Sequence, residues 1–179
     1  MPRFTDETKA RIDEMTARYP TRKSALLPAL WVAQEVYDGW LPEEAMQEVA
    51  DHLGISRAEV EGVASYYTMY NKERVGKHHI EICHNISCMI LGADDLIHHC
   101  EHKLGITHGE TTPDGLFTLS RVECLGACCN AVAVQVGGRY HEDVRTPAQM
   151  DALIEQLRSA PVSGVERPEQ ARMPEQDRF

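Results

Sequence analysis

Two pairs of cysteines set the strongest constraint on what this chain of 179 residues can fold into. Four residues separate Cys83 from Cys88, three separate Cys124 from Cys128, and 35 lie between the pairs. Each pair follows a run of alternating character: "HHIEIC" ends at Cys83 and "LFTLSRVEC" at Cys124. Alternation with period two predicts strands, so both pairs are expected in loops at strand ends. Two such loops at the same end of neighbouring strands bring four sulfurs together. Four thiolates hold either a tetrahedral zinc ion or an iron–sulfur cluster.

The gaps bear on that choice. Structural zinc sites favour a tighter gap, often of two residues, whereas longer loops wrap a wider two-iron group. Gly126 lets the backbone come close and aim amides at sulfur. Asn85 and Ser87 offer further hydrogen bonds of the kind that tune a reduction potential. Other uses of these thiols stay open. A thiol–disulfide exchanger wants Cys-x-x-Cys, and Cys83 and Cys88 are too far apart for it. A nucleophile needs a base, and the nearest histidine, His84, shows no orienting carboxylate in the sequence. Cys100, on the apolar face of a predicted helix, reads as packing, and Cys129 as a neighbour of Cys128.

The compartment fits reduced thiols. The opening "MPRFTDETKARIDEM" is charged and lacks the apolar core of a signal peptide, and no apolar run approaches a membrane span. The expected location is the cytoplasm or its edge, where disulfides are rare. A net charge of -10 opposes non-specific nucleic-acid binding and gives no attraction to an anionic membrane surface.

Residues 5 to about 70 read as helices. Pro42, with Glu43 and Glu44 after it, marks a helix start and Gly54 its stop. "SRAE", Ser56 to Glu59, is a capping box, followed by an apolar face of Val60, Val63, Ala64 and Tyr67. An earlier helix carries Leu26, Leu27, Leu30, Ala33 and Tyr37, with Pro28 placing its start nearby or bending it. Trp31 and Trp40 read as core or edge packing. From His78 the texture changes. A helix is predicted over 93–104 with Gly105 as its stop, "AVAVQVGGRY" as two strands joined at Gly137-Gly138, and "TPAQMDALIEQL" as a last helix capped by Thr146. The order of strands and helices implies a small α/β layer domain. Residues 160–179, rich in Pro, Glu, Gln and Arg, read as a mobile tail.

Two further patterns have bland readings. His98 and His102 stand at i and i+4, a spacing that suits a metal, but no third ligand accompanies them; they, His78, His79 and His108 are expected on solvated surface. "VADHLGISRAEVEGVASYY" has the form of a helix-turn-helix. Its second helix, however, begins Arg57, Ala58, Glu59, Val60, Glu61, and two carboxylates facing phosphates repel. The chain has no Gly-x-Gly-x-x-Gly and no P-loop, so a nucleotide is expected on another chain.

The stretches "GWLPEEAMQEVADHLGIS", "VEGVASYYTMY", "ICHNISCMILGA" and "LGITHGETTPDGLFTLSRVECLGACCNA", with the closing helix, resemble the E-type subunit of NADH-quinone oxidoreductase, the small two-iron ferredoxin-like component of respiratory complex I. The resemblance covers about residues 10 to 158. It implies an α+β or α/β architecture: an N-terminal helical bundle over 1–73, then a thioredoxin-like [2Fe-2S] domain over 74–159. The ligands it implies are Cys83, Cys88, Cys124 and Cys128. It implies a partner as well, an F-type flavoprotein that binds FMN and NADH, and membership of a larger respiratory complex peripheral to the inner membrane. Where the family usually has proline after Asn-Ala, this chain has Val132. The implied role is one-electron transfer within an NADH:quinone oxidoreductase, with no NADH oxidation by this chain alone. The equivalent component of an NAD-linked hydrogenase or formate dehydrogenase uses the same module. The alternative from another class is a zinc-stabilised interaction domain.

Overall fold

The structure is a computed structural model that describes residues 2–159; the tail expected over 160–179 lies outside them. The chain divides into two compact units, one running to Arg74 and one from Val75 onward.

The first unit is helical. α1, Asp6–Thr16, is capped by the Thr5 side chain, which accepts from the Thr8 amide. A 3₁₀ turn, Arg22–Ala25, leads into α2, Leu26–Val36. Pro28 therefore falls in the first turn of α2, where an amide would have no helical partner and its absence costs nothing. α3, Glu43–Leu53, starts after Pro42 and ends at Gly54, whose φ of +68° is a left-handed cap. The capping box is formed: Ser56 and Glu59 bond each other's backbone at the start of α4, Arg57–Tyr66. Val60 and Ala64 of α4 are buried, as the periodicity requires.

Tyr67 departs from expectation. The helix stops at Tyr66, Tyr67 is extended and 39% exposed, and Tyr70 takes the core position instead. The Tyr70 hydroxyl donates to the Leu27 carbonyl at 2.8 Å, and its ring meets Trp31 at 5.7 Å. Trp40 lies beneath the Arg74 guanidinium at 5.3 Å, an edge position. Glu48 anchors the N-terminal segment, accepting from the amides of Arg3 and Phe4 at 3.0 Å each and from the Tyr37 hydroxyl. A cleft of about 560 Å³ runs along α3 between Glu43, Glu44, Glu48, Asp51 and Arg57. Glu43, Glu44, Glu48 and Asp51 give it an acidic rim.

The second unit is a four-stranded sheet with helices. Its elements are β1, His78–Cys83; α5, Ile86–Ile90; α6, Ala93–Leu104; β2, Phe117–Val122; β3, Val134–Val136; β4, Arg139–His141; and α7, Pro147–Ser159. Strand order is β2-β1-β3-β4, with β1 parallel to β2 and the other neighbours antiparallel. Parallel β1 and β2 require a crossover, which α6 supplies. Gly137 and Gly138, at φ +57° and +84°, close the β3–β4 hairpin, a turn whose two positive φ values select glycine. The Thr146 hydroxyl accepts from the Gln149 amide at the start of α7.

The core joins Ile80, Ile82, Phe117, Leu119 and Val134 of the sheet to Leu96, Ile97 and Cys100 of α6 and Met150 and Ile154 of α7. Gly76 enters it tightly: a Cβ there would stand 2.9 Å from the Phe117 carbonyl carbon, and the Gly76 amide donates to Thr118 Oγ1 at 2.6 Å. Of the histidines expected on solvated surface, His108 is exposed, but His78 and His79 are not. His78 is buried against the Phe117 ring. His79 is half-buried with Nε2 2.7 Å from Ser120 Oγ, and burial, with His108 adding to it, pushes its pKa down to about 4. His108 Nδ1 accepts from the Arg121 amide at 3.0 Å. Alternation sets His78 on the face of Ile80 and Ile82, and its burial follows that pattern; His79, on the face of Glu81, is covered by Ser120 of β2.

Candidate iron–sulfur site

Parallel pairing of β1 and β2 is what builds the site. Their register sets Cys83 beside Val122, so both strands leave the sheet at the same end. The His84 amide donates to the Val122 carbonyl and the Cys83 amide to that of Ala133, each at 3.1 Å, fixing the start of the first loop between β2 and the segment entering β3. Cys88 does not sit in open loop as expected. It lies in the middle of α5, a single turn capped by Asn85, whose Oδ1 accepts from the Ile86 amide. Cys128 likewise opens a 3₁₀ turn, Cys128–Asn130.

The sulfurs are close. Cys124 Sγ and Cys128 Sγ are 3.9 Å apart. Two thiolates on one tetrahedral metal with bonds of about 2.3 Å stand about 3.8 Å apart, so this spacing suits two ligands of one metal ion. The two pairs also influence each other. Burial pushes the Cys88 thiol up, the Ala133 backbone pulls it down, and Cys83 and Cys128 push it up again. For Cys128, Cys124 raises the pKa, the Ser87 hydroxyl lowers it, and Cys83 raises it. Cys83 and Cys88 are buried while Cys124 and Cys128 are exposed, giving the site an inner pair and an outer pair. Among the described residues no three His, Cys, Asp or Glu side chains are arranged around a single metal ion. A two-iron group distributes its ligands as two pairs and does not need that arrangement.

The backbone contributes as the sequence implied. Gly126, at φ +81°, turns its amide onto Cys124 Sγ at 3.4 Å. Asn85 does something beyond the local bond expected: its side-chain amide donates to Glu123 Oε2 at 2.8 Å, across to the other cysteine loop. Glu123 also lies 3.9 Å from His84 Nε2, so a carboxylate distant in sequence does stand beside that histidine. Cys100 is fully buried in the core, and burial pushes its thiol up to about 12, which makes it packing. Cys129 is exposed next to Cys128. His98 and His102 touch through Nε2 atoms 3.2 Å apart on exposed α6 surface.

Sequence reading missed the segment that grips the second cysteine loop from outside. The Tyr140 hydroxyl donates to the Leu125 carbonyl at 2.9 Å. Arg145 Nε donates to the Ala131 carbonyl at 2.7 Å and Nη2 to Asp143 at 2.6 Å. The amides of Asp143 and Val144 donate to the carbonyls of Asn130 and Val132. Val132, where the resembling family usually has proline, follows a cis peptide bond. The Gly137-Gly138 signal places β4 beside β3, but nothing local in the sequence gives the contacts to Leu125 and Ala131.

Residues 12–158 match the family model of thioredoxin-like [2Fe-2S] ferredoxins. The chain belongs to that family. Its cofactor is a [2Fe-2S] cluster, and its fold is the expected one, a mixed four-stranded sheet with helices and a helical N-terminal part. Among curated proteins it is 48% identical over 160 residues to an E-type subunit of NADH-quinone oxidoreductase of Rhizobium meliloti, covering 89% of this chain and 94% of that one. The E-type subunit of the Rickettsia conorii oxidoreductase is 44% identical over 149 residues, covering 82% and 89%. These relatives are components of NADH-quinone oxidoreductase. Among solved structures, an NAD+-reducing [NiFe]-hydrogenase in its H2-reduced state superposes with a TM-score of 0.65 at 24% identity, over 76% of this chain and 22% of that one; the likeness is one of fold. No helix among the described residues is long and apolar enough to cross a membrane.

Proposed function

We propose that this chain is the [2Fe-2S] electron-transfer subunit of an NADH-quinone oxidoreductase, with Cys83, Cys88, Cys124 and Cys128 as the cluster ligands. The observation that carries the reading is the 3.9 Å approach of Cys124 and Cys128 Sγ beside the Cys83–Cys88 loop, in a chain of this family. When bound, the cluster accepts and gives up one electron at a time.

The chain's own residues do the rest. Four cysteines fix the position, the Gly126 amide stabilises negative charge on Cys124, and the buried pair limits solvent on one side. Nothing in the sequence binds a nucleotide by a recognised motif, so NADH and FMN are held by a flavoprotein partner and this chain does not oxidise NADH alone. Ile86, Met89, Ile90 and Leu91 give α5 an exposed apolar face beside Cys88, with Ile90 73% exposed. Surfaces of that kind mark contacts with other proteins. Electron transfer demands a partner close to the cysteines, and this face is where the flavoprotein docks. In this reading residues 1–73 and 74–159 are two domains, and the chain works at the cytoplasmic side of the inner membrane as part of the complex.

The test uses the cluster-loaded protein, reduced with dithionite, freed of excess reductant and mixed anaerobically with the oxidised flavoprotein. The expected result is rapid return of the oxidised visible bands together with bleaching of the flavin. Bands that return no faster with the flavoprotein than without it contradict the proposal.

A further inference from the structure

The Leu125–Gly126 peptide is held from both edges. Its carbonyl accepts from the Tyr140 hydroxyl at 2.9 Å, and its amide donates to Cys124 Sγ at 3.4 Å. A trans peptide is a rigid plane with carbonyl and N–H on opposite edges, so fixing one edge aims the other. Gly126 has no side chain, and its φ of +81° lies where glycine moves freely. The plane is therefore oriented by what bonds to it. Tyr140 is well placed for this, because β4 is pinned to β3 in register, Tyr140 beside Gln135, by the Gly137-Gly138 turn.

We propose that Tyr140 is a positioning residue that sets the reduction potential of the cluster through the Leu125–Gly126 peptide. The inference rests on the reading of Cys124 as a ligand. Donation to the carbonyl polarises the peptide and strengthens its N–H as a donor. An N–H bond to a ligand sulfur stabilises negative charge there. The reduced site carries one more negative charge than the oxidised site, so the bond favours reduction and raises the potential. Tyr140 touches neither sulfur nor partner in this scheme; it acts through Gly126.

The test is a potentiometric titration, followed by electron paramagnetic resonance, of the cluster-loaded full chain. Tyr140→Phe keeps the ring and removes the donor: the expected potential is lower than wild type, at unchanged iron content. Replacement of Tyr140 by 3-fluorotyrosine, a more acidic phenol and a stronger donor, is expected to raise it. Opposite shifts from the two replacements are not the behaviour of a residue that only supports the fold. A potential that stays at the wild-type value in Tyr140→Phe overturns the proposal. If Tyr140→Phe loses its iron, the fluorinated protein decides: no upward shift there overturns it. The ligand reading is checked apart from this by Cys124→Ala. Retained iron in that variant defeats the assignment of Cys124 whatever Tyr140 does.

Discussion

The side-chain amide of Asn85 donates to the Glu123 carboxylate across 2.8 Å, joining the loop after Cys83 to the residue before Cys124. These residues are 38 positions apart, so the bond ties one cysteine loop to the other. Glu123 is largely exposed, at 81% of its side chain, so the bond is worth about 1 kcal/mol or less despite its charge. Asn85→Ala removes this bond together with the α5 cap; it should leave the fold intact and speed the loss of iron to a chelator by about fivefold or more. The rate of bleaching of the visible bands measures it; an unchanged rate shows that the strands alone set the loop spacing.

Gly76→Ala tests the packing of the chain against β2. The added methyl would stand 2.9 Å from the carbonyl carbon of Phe117 and 3.1 Å from its nitrogen, which cannot swing aside as a side chain would. The expected cost is about 1–3 kcal/mol, read as a lower denaturation midpoint of the cysteine-bearing unit. A midpoint equal to wild type would show that the backbone there yields freely.

Tyr37 and Glu48 give the helical unit a defined pH response. Burial alone would raise the Glu48 pKa, but the Tyr37 hydroxyl and the amides of Arg3 and Phe4 outweigh it and hold the carboxyl below its ordinary 4.5. A depressed folded value means stability that is present above pH 4.5 and is lost as pH falls below it. Burial, then the Glu48 contact, pushes the Tyr37 hydroxyl up from 10.0 to about 12. A raised folded value means stability that is present below pH 10.0 and is lost as pH rises toward 12. Tyr37→Phe should therefore cost about 1 kcal/mol between about pH 5 and 9, with the difference from wild type shrinking at both ends. Thermal unfolding across that range tests it. A difference independent of pH would show that Glu48 and Tyr37 do not titrate as a pair.

Cys100→Ser separates a structural thiol from the four thiols proposed as ligands. Cys100 is fully buried, and a hydroxyl in its place lacks the partners that burial demands. Stability should fall by about 1–3 kcal/mol while iron content stays at the wild-type level. Iron lost at full stability would make Cys100 a ligand.

Much of this architecture could be read from short stretches of sequence. Pro42 and Gly54 bound α3, Ser56 and Glu59 start α4, and Gly137-Gly138 turns the β3–β4 hairpin, because each acts through backbone groups within a few residues. The strand ends at Cys83 and just before Cys124 were legible for the same reason. What escaped was long-range. α5 is too short for a periodic signal, so Cys88 read as loop. Tyr67 fits the helical period, but the helix ends at Tyr66 and the Tyr70 hydroxyl finds the Leu27 carbonyl, 43 positions away. The reach of Asn85 to Glu123, of Tyr140 to Leu125 and of Arg145 to Ala131 depends on which loops the sheet brings together. No local rule contains that information. The family resemblance pointed to four cysteines without describing the residues that hold their loops.

The most direct test of the central claim is the iron and acid-labile sulfide content of anaerobically purified protein, measured beside Cys83→Ala, Cys88→Ala, Cys124→Ala and Cys128→Ala. The account predicts two of each per folded wild-type chain, in keeping with a [2Fe-2S] family, and a large loss in every one of the four variants. A properly folded wild-type chain with neither iron nor sulfide would contradict it, as would any of those variants holding its full complement.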